Sequence, residues 1–120
     1  SAGIEWYNGL SITNATGTAI GTGNANTNAI VSVQGAGSYA AKLCSDLSLN
    51  GFSDWYLPSK DELNKLYINK GLVGGFANST YWSSTEYDNG RAWKQYFANG
   101  VQDFYFIKDN SFNVRAVRAF

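Results

Sequence analysis

Apolar positions change their spacing several times along this chain, and each change predicts an element. Gly3 to Tyr7 reads as an opening strand. Residues 8–37 show no period and are dominated by Gly, Asn, Thr, Ser and Ala, which predicts an ordered surface loop with a short strand near Ile30 to Val33. From Ser38, read as an N-cap, Ala40, Leu43, Cys44 and Leu47 recur at helical spacing, predicting a helix to about Leu49. Trp55 to Leu57 reads as a short strand stopped by Pro58, which fixes its own φ and pushes the preceding residue to extended geometry. A second helix, over 59–70, follows at once. Ser59 and Glu62 have the spacing of a capping box, Leu63, Leu66 and Tyr67 share one face, and Gly71 supplies the stop.

The C-terminal third predicts an antiparallel meander of four strands, Tyr81–Tyr87, Arg91–Phe97, Val101–Lys108 and Phe112–Ala119. Asn89-Gly90 and Asn99-Gly100 are two-residue hairpin signals, because both central positions of a type I′ turn need positive φ. Alternation puts Trp93 and Phe97 on one face of their strand and Ala92, Lys94 and Tyr96 on the other, with aromatic residues on both sides of the sheet. The helices cover one face, so the other needs a partner, a loop or a ligand. The expected fold class is α+β, a single domain over 1–120 with two helices on a small antiparallel sheet.

Composition narrows the chemistry. The 120 residues include 19 aromatic residues, one cysteine, one proline and no histidine or methionine. Without histidine there is no Ser-His or Cys-His pair, no usual zinc site and no imidazole acid-base group, and the pairs Asp61/Glu62 and Glu86/Asp88 lack the surroundings of a glycosidase. The expectation is no enzyme and no cofactor. Glu86, Asp88, Asp103 and Asp109 match no EF-hand spacing and read as solvated charge at hairpin ends. A lone Cys44 on an apolar helix face reads as packing. Apolar runs are too short to span a membrane, and no basic-then-apolar leader opens the fragment, so any secretion signal lies outside it. Formal charge is zero but segregated: residues 51–88 carry a balance of −2, and residues from 89 onward carry +3. Such segregation predicts a basic C-terminal surface.

Three blocks, Gly51-Phe-Ser-Asp-Trp-Tyr-Leu-Pro-Ser-Lys-Asp-Glu-Leu63, Tyr81-Trp-Ser-Ser-Thr85 and Asn113-Val-Arg-Ala-Val-Arg118, resemble the C-terminal domain family typified by the Legionella collagen-like protein. The resemblance covers about residues 38–120. It implies a C-type-lectin-like fold, a secreted or bacterial-surface location, and a homotrimeric adhesin head that binds sulfated glycosaminoglycans or similar anionic polysaccharides. Relatives commonly carry arginine at Tyr56 and a cysteine at Ala116 that is placed to pair with one at Cys44, so the bridge is lost here. The lectin calcium tripeptide is absent, because the only proline is Pro58. The same fold group holds a formylglycine-generating enzyme, whose copper-binding cysteine pair cannot exist in this chain.

The residues named for polysaccharide binding are Arg91, Lys94 and Lys108, with Lys60 and Lys70 extending the surface, since lysine and arginine engage sulfate through charge-assisted hydrogen bonds. Lys60 is disfavoured by the helix dipole in the first turn and so reads as retained for a surface role. Lys42 with Asp46 and Asp61 with Lys65 have ion-pair spacing, and Arg115 and Arg118 point to opposite strand faces, at least one of them structural and paired with Asp54 or Glu62. A second reading is a neutral-glycan or protein receptor head stacking on Trp82, Trp93, Tyr96 or Tyr105, with Trp6 and Trp55 in the core. A third is a ligand-free trimerisation module. Nucleic acid is not expected as a partner, because the chain as a whole is not basic.

Overall fold

The computed structural model describes residues 3–7, 12–88, 90–104, 108 and 110–118. Among them, helices α1 (Gly23–Gln34), α2 (Ala40–Ser45), α3 (Lys60–Ile68) and α4 (Lys70–Val73) accompany strands β1 (Thr80–Glu86), β2 (Ala92–Tyr96) and β3 (Gln102–Asp103). The strands form one antiparallel sheet in the order β1-β2-β3. The α+β class stands.

The first helix corrects the loop and strand expected over 8–37. Gly23, Asn26, Thr27 and Ile30 fall at helical spacing on a buried face of α1, but two of the four are polar. Asn26 accepts from Gly17 N at 3.1 Å, donates to Gly17 O at 2.7 Å and reaches Ser84 Oγ at 3.3 Å. Thr27 Oγ1 donates to Gly23 O and accepts from Leu57 N at 3.0 Å. Buried polar groups are tolerated because each finds a partner, and a hydropathy pattern cannot register them. A Cβ on Gly23 would stand 2.1 Å from Glu62 Oε1, so only glycine lets α1 start against α3.

Helix α2 is shorter than expected. It is capped by Tyr39 without a side-chain bond rather than by Ser38, and Leu43 is half exposed while Ala40, Ala41 and Cys44 are buried. Helix α3 matches its sequence signal: Ser59 accepts from Glu62 N, and Glu62 Oε1 accepts from Ser59 N at 2.8 Å. The stop is not Gly71, because Asn69 ends α3 and α4 continues to Gly74, which takes φ 76°.

Strands β1 and β2 lie where the pattern placed them, with a register shift between Trp82 and Glu86. In the second turn only Gly100 has positive φ, 83°, so it is not type I′; Gly100 also packs against Tyr67, whose ring would be 2.5 Å from an added Cβ. The expected fourth strand makes single bridges instead of a ladder, Phe112 with Ile4, Asn113 parallel with Tyr81, and Val117 with Tyr56. Residues 105–107, part of the expected third strand, lie outside the described residues, as does Asn89 of the first turn.

One core gathers Trp6, Ile30, Tyr39, Leu57 and Trp82, and a second gathers Leu63, Leu66, Tyr81 and Phe97. The sheet face expected to need a partner is closed by the chain itself. Trp82 donates its indole N–H to Ile4 O at 2.8 Å and meets Phe112 edge-on at 4.8 Å. Ile4 and Phe112, together with α1 and α2, thus cover the Trp82 side of the sheet. Trp55 is only partly buried, unlike Trp6.

Candidate functional site

The charge segregation seen along the sequence turns out to be complementary pairing within the fold. Asp54, Glu86 and Asp88 from the acidic stretch pair with Arg118, Lys108 and Arg91 from the basic one. Lys94 pairs with Asp103 on the neighbouring strand. Lys42 pairs with Asp46 as the helical spacing predicted, whereas Asp61 and Lys65 form no ion pair. Arg118 binds Asp54 through both Nε and Nη2, the latter at 3.1 Å, and lies over the Phe52 ring at 3.5 Å. Hydrogen bonding from Arg118 and from Arg91 holds the Asp54 and Asp88 carboxyls below the usual range.

Lys108 is a correction to the expected binding surface. It is fully buried, its Nζ is 2.8 Å from Glu86 Oε2 and 4.4 Å from the centre of the Trp6 ring, and no polysaccharide can reach it. Burial lowers its pKa, with Glu86 opposing the shift. Glu86 was read as solvated charge, yet it is 5% exposed. Its carboxylate also accepts from Thr13 N, Thr13 Oγ1 and Asn14 N at 2.9–3.1 Å. Lys94, 6% exposed, is likewise committed inward to Asp103 and to the Phe112 ring.

The structure brings together three of the five named cations with surface aromatics. Lys60 Nζ sits over Trp93, 4.6 Å from the ring centre. Trp93 meets Phe104 edge-on at 4.9 Å, and Phe104 stacks on Tyr87 at 3.7 Å and 9°. Arg91 lies over Tyr87 at 5.0 Å while chelating Asp88 through Nε and Nη2. Tyr87 and Trp93 also meet edge-on at 6.2 Å and Arg91 lies over Phe104 as well at 5.7 Å, so the three rings make a short bent row with Lys60 on Trp93 and Arg91 on Tyr87 and Phe104. Farther along the α3–β2 seam, Gln95 Nε2 donates to Asn64 Oδ1 at 2.9 Å and Gln102 Nε2 to Lys60 O at 2.8 Å. At its far end Lys70 Nζ donates to Phe97 O at 2.7 Å and lies over Tyr67. Among the described residues Lys60, Lys65, Lys70 and Arg115 have no carboxylate within ion-pair distance, and on α3 Asp61 and Glu62 likewise have no cation partner.

Sequence reasoning missed Tyr87 and Phe104. The signal was present: Tyr87 and Trp93 flank one hairpin, and Phe104 follows β3, so antiparallel pairing can bring all three together. Of the proposed stacking residues, Trp82 is buried, Tyr96 is exposed and Tyr105 lies outside the described residues. Among the described residues no group of three or more metal-ligating side chains gathers, and no helix is long and apolar enough to cross a membrane.

Cys44 is buried, and its thiol is pushed up to about 12 by desolvation, which leaves it unreactive at neutral pH. Together with Ala116 it lines a cavity of about 270 Å³, so the two positions that the family resemblance pairs do face one space.

No curated protein matches the chain. The family described as the Lcl C-terminal domain matches residues 2–118, which extends the likeness well beyond the 38–120 evident from the three blocks. That family supports a surface adhesin-type domain in a bacterial collagen-like context. With almost its whole length matched, the chain belongs to the Lcl C-terminal domain family.

Proposed function

We propose that the domain is a non-catalytic adhesin head that binds sulfated glycosaminoglycans or related anionic polysaccharides along the Lys60–Trp93–Phe104–Tyr87–Arg91 row, with Lys70 extending the track. The observation that carries this reading is the pair of cations over one ring cluster, Lys60 on Trp93 and Arg91 on Tyr87 and Phe104. A neutral sugar stacks on an open ring face, but Lys60 covers Trp93 and Arg91 covers Tyr87, so the groups first met by a ligand are cationic. Sulfate and carboxylate suit those groups, and sugar CH groups suit the ring edges beside them. Arg91 contributes less than Lys60, because Asp88 already holds two of its donors.

Salt tests this reading. Retention of the domain on immobilised sulfated polysaccharide is expected to fall steeply between low and physiological ionic strength, since exposed charge pairs are screened over about 10 Å at 0.1 M salt. Equal retention on a neutral glycan, unaffected by salt, would favour stacking instead.

A homotrimer is the assembly we propose with it. Three-fold symmetry suits a head at the end of a collagen-like stalk, and it multiplies weak contacts through effective concentration. Ile68 and Leu72, 67% and 89% exposed on α3 and α4, offer apolar surface for the neighbouring subunit. Light scattering is expected to give about three times the 13.1 kDa chain mass, and a monomer at micromolar concentration would refute self-assembly.

A further inference from the structure

A cavity of about 560 Å³ opens beside α3 and α4, and none of its lining residues belongs to the polysaccharide row. Leu47, Trp55, Leu66 and Val73 make its walls apolar, and Arg115 and Arg118 bring the polar groups. The size and the mixture of many apolar groups with few polar ones are those of small-molecule sites. The two arginines differ in kind. Arg118 is neutralised by Asp54, whereas Arg115 has no carboxylate partner among the described residues.

Arg115 is nonetheless held in place. Its Nη1 donates to Gly74 O at 3.0 Å, and its guanidinium stands 4.5 Å from the centre of the Phe76 ring. Gly75, at φ 78°, lets it approach, since an added Cβ would come within 3.1 Å of Nη1. A guanidinium has five N–H donors, so one bond to a carbonyl leaves donors for another acceptor. A fixed, uncompensated cation on an apolar wall attracts an anion more strongly than one in open water.

We propose that this cavity binds a small amphipathic organic anion, with an apolar or aryl body against Leu47, Trp55, Leu66 and Val73 and a single carboxylate or sulfonate on Arg115. A sulfated polysaccharide does not fit these walls, because its hydroxyls would be buried without partners. A purely apolar ligand would leave the arginine unused. The site is thus independent of the polysaccharide row and can succeed or fail without it.

Anilinonaphthalenesulfonate serves as the probe, with uncharged N-phenyl-1-naphthylamine as its counterpart, in fluorescence titrations of the native domain. The sulfonate is expected to bind the wild type more tightly than the neutral dye. Arg115→Gln is expected to weaken the sulfonate about tenfold or more, with the neutral dye little changed and Lys60→Ala without effect. Decanoate should displace the sulfonate from the wild-type domain and decanol should not, which tests the same claim if Arg115→Gln fails to fold. The proposal is overturned if Arg115→Gln binds like wild type, if the two dyes bind alike, if decanol competes as well as decanoate, or if the native domain binds neither dye because assembly covers the cavity.

Discussion

Glu86→Ala is expected to destabilise the domain by about 3–5 kcal/mol, the range for removing one partner of a buried ion pair. The change removes the carboxylate that faces the fully buried Lys108 ammonium and takes from the N–H groups of Thr13 and Asn14 that acceptor. Against a total stability of about 5–15 kcal/mol, a loss of that size brings the fold near its threshold. Lys108→Met is expected to cost less, because the Glu86 carboxylate keeps its bonds from Thr13 and Asn14. Replacing both residues by apolar ones of similar size should cost less than the sum of the single changes. Denaturant midpoints of the four proteins measure this, and a Glu86→Ala midpoint close to wild type would show that the pair is not structural.

Ligand binding should respond to a different set of lysines and arginines from the one the sequence favoured. The triple change Lys60→Ala, Lys70→Ala and Arg91→Ala is expected to weaken attachment to sulfated polysaccharide by about 0.6–3 kcal/mol, at about 0.2–1 kcal/mol for each exposed contact. That amounts to a loss of roughly 3- to 150-fold. Lys94→Ala, which removes an inward-facing ion pair, should leave binding nearly unchanged once the fold is shown to be intact. If the triple variant folds and keeps its affinity while Lys94→Ala loses it, the aromatic row is not the binding track.

Local signals were legible in the sequence, and signals that depend on distant partners were not. Ser59 and Glu62 declare a helix start because the interacting groups are three residues apart. Strands β1 and β2 declare themselves by β-rich composition and a turn. Helix α1 stayed hidden because its buried positions include Asn26 and Thr27, whose partners Gly17, Ser84 and Leu57 are assembled only by the fold. Lys94 and Lys108, expected on the surface, are buried for a related reason. Five basic residues after position 88 form a cluster along the chain, but four of them are tied to carboxylates 3 to 64 residues away. The place of Lys60 beside Trp93, with Phe104 and Tyr87 next to it, becomes visible only through cross-strand pairing.

The stretch between the opening segment and α1 has the composition of a tether, yet two glutamates from other elements hold it. Glu86 of β1 grips Thr13 and Asn14, and Glu62 of α3 accepts from Gly21 N at 2.8 Å. Between those points Asp61 N donates to Thr18 O, and Thr85 Oγ1 donates to Gly17 O. Residues 13–21 are thus fixed at both ends and in the middle and have no slack to take up an inserted tag. A pull on that segment would load Glu86 and Glu62, so it should yield by releasing buried carboxylates rather than by paying out chain.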